Sequence, residues 1–301
     1  MTPVLLPPPS APHPAAVGRR ADSGEMLRWT LAPLDGVALH FTGPPRLVAP
    51  LRQRFAAWPT APDAAPATLD IDVAAGTDPP DLRPLPFPTL PAIQLSGSRL
   101  HLDGPGLHGD ADLGAGTARL LVGGPQAPAL MEYAARVLTA LLLDREGGLL
   151  LHGAGLVRDG RGLLLLGPSG TGKTTAARNA AGARVLNDDL VALRPATGGG
   201  WELHATPFSN PSQVRPAWGQ APLAGILRLR QATPPAMGPL SAGQALAELA
   251  AAVPVLVADA GRLPALMTRL ARLAQATPCA ALRLGLRPDY WPVVDAWLAR
   301  L

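Results

Sequence analysis

Apolar and polar positions alternate with a period of two over residues 27–31, 37–41 and, most clearly, 67–73 (Ala-Thr-Leu-Asp-Ile-Asp-Val). That is the pattern of strands with one face in a core and the other in water. Residues 47–58 carry the spacing of a short helix, and Ile93-Gln94-Leu95 and Leu100-His101-Leu102, set either side of Gly97, predict a hairpin. Residues 118–122 close a small mixed sheet. Apolar residues at helical spacing then run from 128 to 144 and stop at Gly147-Gly148. Beyond this helix the pattern changes. Residues 149–157 and 163–166 are nearly continuous apolar runs around a glycine-bearing turn, Arg158 to Gly162, which predicts a sheet covered on both faces. A helix over 174–181, strands on both sides of Asp188-Asp189, a helix over 263–275, a strand over 280–284 and a last helix over 289–301 complete the reading.

The change of pattern divides the chain into a proline-rich tail (1–25) whose composition predicts disorder, a small α+β domain (26–125), a connecting helix (126–147) and an α/β domain (148–301). Composition adds limits. The 301 residues include 36 Pro and 32 Gly, carry a net charge of +4, and use arginine for all but one of 26 basic positions. The arginines are scattered, with no run longer than Arg19-Arg20, so neither a nucleic-acid stripe nor a polybasic membrane patch is expected. No apolar stretch is long enough to span a bilayer and the N-terminus lacks signal-peptide character, so a cytoplasmic protein is expected. The single cysteine, Cys279, excludes an internal disulfide and a cysteine-based zinc site.

One segment carries explicit chemistry. Gly167-Pro168-Ser169-Gly170-Thr171-Gly172-Lys173-Thr174, followed by Thr175, fits G-x-x-x-x-G-K-[ST] at every position, between an apolar strand and a helix. Glycines let successive N–H groups surround a phosphate, Lys173 brings a point charge, and the Thr174 hydroxyl suits Mg²⁺, so ATP and Mg²⁺ are the expected cofactors. Lys173 is also the lone lysine in the chain. An arginine fork would not fit inside such a loop. Downstream, Asn187-Asp188-Asp189 lies between two strands. A carboxylate pair there suits one metal-side acid and one base, the plain alternative being a hairpin turn. Leu240-Ser241-Ala242-Gly243-Gln244 is similar to the ABC ATPase signature but lacks the glutamate that should follow Asp259, where Ala260 stands, so Ser241 is expected to cap an ordinary helix.

His152-Gly153, the loop and Asp188-Asp189 together resemble the HPr serine kinase/phosphorylase family, specifically its divergent HPr-kinase-related members, over roughly 148–300. The resemblance implies the compact kinase fold shared with phosphoenolpyruvate carboxykinase. It implies Asp188 as the base that deprotonates an acceptor hydroxyl, Asp189 and His152 supporting the metal and local charge, and Glu202 as a metal-binding glutamate. The acceptor would be a hydroxyl, serine above all, on a peptide or small protein. The family's Glu-Ile-Arg-Gly signature is replaced after Glu202 by Leu203-His204-Ala205-Thr206-Pro207-Phe208, which points away from HPr itself. A nucleotide-gated binding protein with little turnover is the alternative. Residues 26–125 carry no motif, and would present a sheet edge to an extended peptide, shield the kinase half, or join copies of the chain.

Overall fold

The computed structural model describes residues 25–59, 67–76, 89–180, 182–210, 214–255, 259–285 and 289–301. The expected tail lies outside these apart from Glu25. The fold is mixed α/β, with two sheets and six helices among the described residues. The first sheet holds β1 (Leu27–Leu34), β2 (Val37–Gly43), β3 (Ala67–Ala75), β4 (Ala92–Ser96), β5 (Arg99–Gly104), β6 (Leu107–Asp112) and β7 (Thr117–Val122) in the order β1-β2-β3-β7-β6-β5-β4. β2 and β7 flank β3 in parallel and the other pairs are antiparallel. The hairpin around Gly97 forms in the expected register, whereas β6 is an additional strand. Alternation buries one face only, against α1 (Pro45–Arg54) and α2 (Ala127–Arg145).

α2 is apolar almost all the way round. It packs on β2, β6 and β7 on one side and on β8 (Leu149–His152) of the second sheet on the other, so one continuous core spans both sheets. Asp144 at its C-terminal end takes Arg262 at 2.5 Å and Arg269 at 2.7 Å, and Arg262 also donates to the carbonyl of Gly97.

The second sheet continues with β9 (Ala154–Arg158), β10 (Arg161–Leu166), β11 (Arg184–Asn187), β12 (Leu190–Pro195), β13 (Trp201–His204), β14 (Gln220–Gln231), β15 (Ala236–Pro239) and β16 (Cys279–Leu284). Its order is β11-β9-β10-β14-β13-β12-β8, and β16 and β15 extend from β14. β14 is long enough to pair with β13 at its start and with β16 further on, which forks the sheet. One face packs on α2, α4 (Ala242–Ala251) and α5 (Leu263–Ala276), the other on α3 (Lys173–Arg178) and α6 (Trp291–Leu298), so both faces are covered as the apolar runs require. Ser241 caps α4 in a reciprocal box with Gln244, at 3.2 and 3.1 Å, an ordinary cap as expected.

The sequence reads 149–157 as one strand, and here the structure differs. β8 pairs with β12 while β9 pairs with β10 and β11, and the chain changes partners at Gly153. A Cβ there would stand 3.0 Å from the Leu165 carbonyl oxygen, so a side chain would press this crossing away from the end of β10. β11 and β12 change partners beside it, and the Gly153 N–H donates to the Asp189 carbonyl at 2.9 Å. Among the described residues no helix is long and apolar enough to cross a membrane.

One buried titrating group sits in this frame away from the crossing. Burial, with help from the Arg194 guanidinium, pushes the His204 imidazole down to about 4, and its Nε2 has no hydrogen-bond partner although a Glu202 carboxylate oxygen lies 3.5 Å away. An unfolded chain takes up that proton near pH 6.5. Stability should therefore be complete above about pH 6.5 and fall as the pH drops toward 4, by up to roughly 3 kcal/mol from this group. The urea midpoint of the wild type should fall relative to that of His204→Leu as the pH drops across this window; parallel curves would show that His204 is not held neutral.

Candidate functional site

The two crossings meet the C-terminal end of β10, and there the chain enters the glycine-rich segment 167–172. Gly167, Gly170 and Gly172 take φ of 150°, 81° and 104°, backbone that side chains disfavour. At Gly167 a Cβ would also lie 2.7 Å from the Thr171 hydroxyl oxygen. That hydroxyl donates to the Pro168 carbonyl at 2.8 Å, while the Gln231 amide at the end of β14 donates to the Gly170 carbonyl at 2.7 Å, so the loop is held from within and from outside. Lys173 opens α3 with its side chain turned back under the loop. Its Nζ donates to the carbonyls of Gly167 at 2.7 Å and Pro168 at 3.2 Å. Ser169 and Pro168 are exposed at the loop tip. The α3 turn is fixed from the core by the Tyr290 hydroxyl, which donates to the Ala176 carbonyl at 2.9 Å.

Asp188 and Asp189 point apart, as alternation predicts. Asp188 is 1% exposed; the Thr174 hydroxyl donates to its carboxylate, as does the Val214 N–H at 3.4 Å, and its other oxygen, Oδ1, is buried without a partner. Burial pushes this carboxyl above its usual range, and those two donors oppose the shift. Asp189 turns toward His152, whose Nδ1 lies 3.2 Å from Oδ1, and toward Arg136 of α2, 3.9 Å from Oδ2. Burial holds the His152 imidazole and the Lys173 ammonium below their ordinary values, and in both the Asp189 carboxylate works against the shift. The structure thus brings Lys173, Thr174, Asp188, Asp189 and His152 together.

Glu202 is not among them. It is in register with Arg194 and Pro222, level with the start of β10, where Gly162 faces Leu223. At about 3.3 Å per residue the loop begins roughly 16 Å further along. The expectation of a metal-binding Glu202 is corrected for a topological reason: β12 leads away from the aspartates, and Glu202 lies on the first turn of chain coming back.

What comes back to the site is the strap 205–210. The wholly buried Asn187 carboxamide grips it, donating to the carbonyls of Thr206 at 2.9 Å and Phe208 at 3.1 Å and accepting from the N–H groups of Asp189 at 2.7 Å and Leu190 at 3.2 Å. The Thr206 hydroxyl donates to the Leu190 carbonyl at 2.6 Å. Sequence reasoning saw Asn187 only as a neighbour of the aspartates, and missed Arg136 and Glu132. Their signal was a lone i,i+4 ion pair inside an otherwise apolar helix. Beside the loop a cavity of about 590 Å³ is lined by Gly172, Thr175, Thr233, Leu284 and Gly285.

These features define a mixed α/β protein with a lysine, a histidine and two aspartates gathered at a glycine-rich strand-to-helix loop. The chain belongs to the family described as SynChlorMet cassette protein ScmC, matched over residues 129–299, from the start of α2 to the end of α6. Comparison with curated proteins returns no match.

Asn187 both donates and accepts, so an isosteric carboxylate cannot replace it. Asn187→Asp and Asn187→Ala should each cost about 3 kcal/mol, through buried groups left unpaired. Hydrogen exchange should quicken at the amides of Asp189 and Leu190. Wild-type stability in Asn187→Asp would refute the assignment.

Proposed function

We propose that the chain is a Mg²⁺-dependent ATP kinase acting on a hydroxyl, serine above all, of a peptide or small protein. The observation that carries this reading is the convergence of Lys173, Thr174 and the two aspartates on one loop whose glycines free its backbone. The loop fits a phosphate chain: the Lys173 ammonium is already turned into it, bonded to loop carbonyls that a phosphate oxygen would replace. The cavity bounded by Gly172, Thr175 and Leu284 offers room for the nucleoside. The His152-Gly153 crossing before the loop and the aspartates after it support the finer fold too, that of HPr kinase and phosphoenolpyruvate carboxykinase.

The roles of the two aspartates exchange relative to the resemblance. Asp188 is sunk beside the Thr174 hydroxyl with one oxygen unpartnered, the hard-oxygen pair that suits Mg²⁺. Among the described residues no three His, Cys, Asp or Glu groups are placed to hold a metal by themselves, which fits an ion completed by phosphate oxygens and water. Bound Mg²⁺ would supply charge neutralisation at the phosphates. Asp189 is the more open carboxylate, with His152, Arg136 and Lys173 around it. It takes the proton of the acceptor hydroxyl as the new O–P bond forms; the bond from the γ-phosphorus to the bridging oxygen breaks and ADP leaves.

Lys173→Ala should weaken Mg²⁺-ATP binding by about tenfold or more, read by calorimetry; unchanged affinity would refute the loop's role. Asp189→Asn should keep ATP binding while phosphate transfer to a serine peptide falls by roughly 10² to 10⁴-fold. Asp188→Asn should instead raise the Mg²⁺ concentration needed. If Asp189→Asn transfers at the wild-type rate, the base lies elsewhere.

A further inference from the structure

On the far side of the 205–210 strap, between the end of α1 and residues 207–210 and 215–216, lies a second cavity of about 330 Å³. Arg54, Trp58, Ser209 and Arg215 are among its walls. It is rigid where it is aromatic: Trp58 donates through Nε1 to the Ala32 carbonyl at 2.9 Å and packs edge-on to Trp218 with ring centres 5.1 Å apart, while Phe55 packs edge-on to Phe208 at 5.9 Å. It is cationic where it opens. Arg215 is exposed, and no acidic partner faces it among the described residues. The Arg54 guanidinium lines the same wall and donates to the Ser209 carbonyl.

Arg54 is also the outer end of a chain of charges that leads to the proposed base. Its Nε lies 3.0 Å from Glu132, whose other oxygen is 2.5 Å from Arg136, and Arg136 is 3.9 Å from Asp189. With the widths of the side chains included, the path from the cavity to Asp189 is roughly 10–14 Å, the span of three or four residues of extended peptide at about 3.3 Å each. The strap 205–210 borders the cavity through Pro207 and Ser209, and Asn187 holds that strap still.

We infer that this cavity is an anion-recognising subsite for the acceptor, taking an Asp or Glu side chain three or four residues from the hydroxyl presented to Asp189. The inference rests on the kinase reading for the identity of the acceptor. The chemistry of the subsite stands apart from it: one guanidinium with no acidic partner among the described residues, a second braced by Glu132, and aromatic walls beside them. The nucleotide cavity at Gly172 and Leu284 lies on the glycine-rich loop and shares no wall residue with this one, so both substrates have room at once.

The test is to pan a serine-centred, randomised and C-terminally amidated peptide library on the full chain without nucleotide. Asp or Glu should be enriched about tenfold at one position three or four residues from the serine, and the preference should fall to about twofold in Arg215→Gln. Arg215 is exposed, so this variant should keep the wild-type circular dichroism spectrum and urea midpoint. Absence of acidic enrichment, or full enrichment in Arg215→Gln with Arg54→Gln, would overturn the subsite. Incubating the selected peptides with Mg²⁺-ATP separates the two readings. Acidic peptides bound but never phosphorylated would leave the subsite and remove the kinase; peptides phosphorylated without acidic preference would do the reverse.

Discussion

A single carboxamide sets the geometry on which the rest of the site depends. Asn187 satisfies two backbone N–H groups and two carbonyls in a fully buried place, where each unpaired group would cost about 1–3 kcal/mol. Its acceptor bonds turn the chain through Asp188 and Asp189, so that one side chain goes down toward Thr174 and the other out toward His152. Its donor bonds pin the strap that walls off the second cavity. A side chain with only donors or only acceptors does one of these jobs and not both. Position 187 thereby couples the aspartates to a segment nearly twenty residues later.

Electrostatics around this turn are arranged by burial as much as by proximity. Lys173, His152 and Asp188 are all pushed toward their neutral forms by loss of water. Asp189 offsets that for the two cations, and Arg136 is added from a helix outside the second sheet. The first sheet therefore bears on the site through α1 and α2, whose Arg54, Glu132 and Arg136 form one line of alternating charge. Removing a middle member would strand its neighbours in a partly dry setting.

The sequence is most legible where structure is local. The β4–β5 hairpin, α2, the turn after Arg158 and the Ser241 cap follow from periodicity and turn chemistry. β6 escaped because Leu-His-Gly-Asp-Ala-Asp buries small residues and reads as polar, and β14 because Pro222 and Gly225 interrupt a strand whose fork is visible only in three dimensions. The break at Gly153 lies where the chain changes partners and passes close to the Leu165 carbonyl twelve residues on, which no local pattern encodes. Glu202 was misplaced for the same reason: residue type and order are in the chain, but the direction of a returning strand is decided by pairing. The loop, His152 and the aspartates were visible as types; Arg136 required knowing what α2 lies against.

The burial of α2 on both sides also bears on how the molecule came to be one piece. A helix with Leu130, Met131, Leu138 and Leu142 turned into a shared core, and with every residue from Val137 to Leu143 buried, has no wettable face over its second half. Cutting the gene on either side would leave one fragment with an oily rod and the other with an uncovered sheet. The two halves are thus not interchangeable cassettes: shuffling either onto a foreign neighbour requires carrying a matching helix surface with it, and drift in one sheet must be answered by drift in the other.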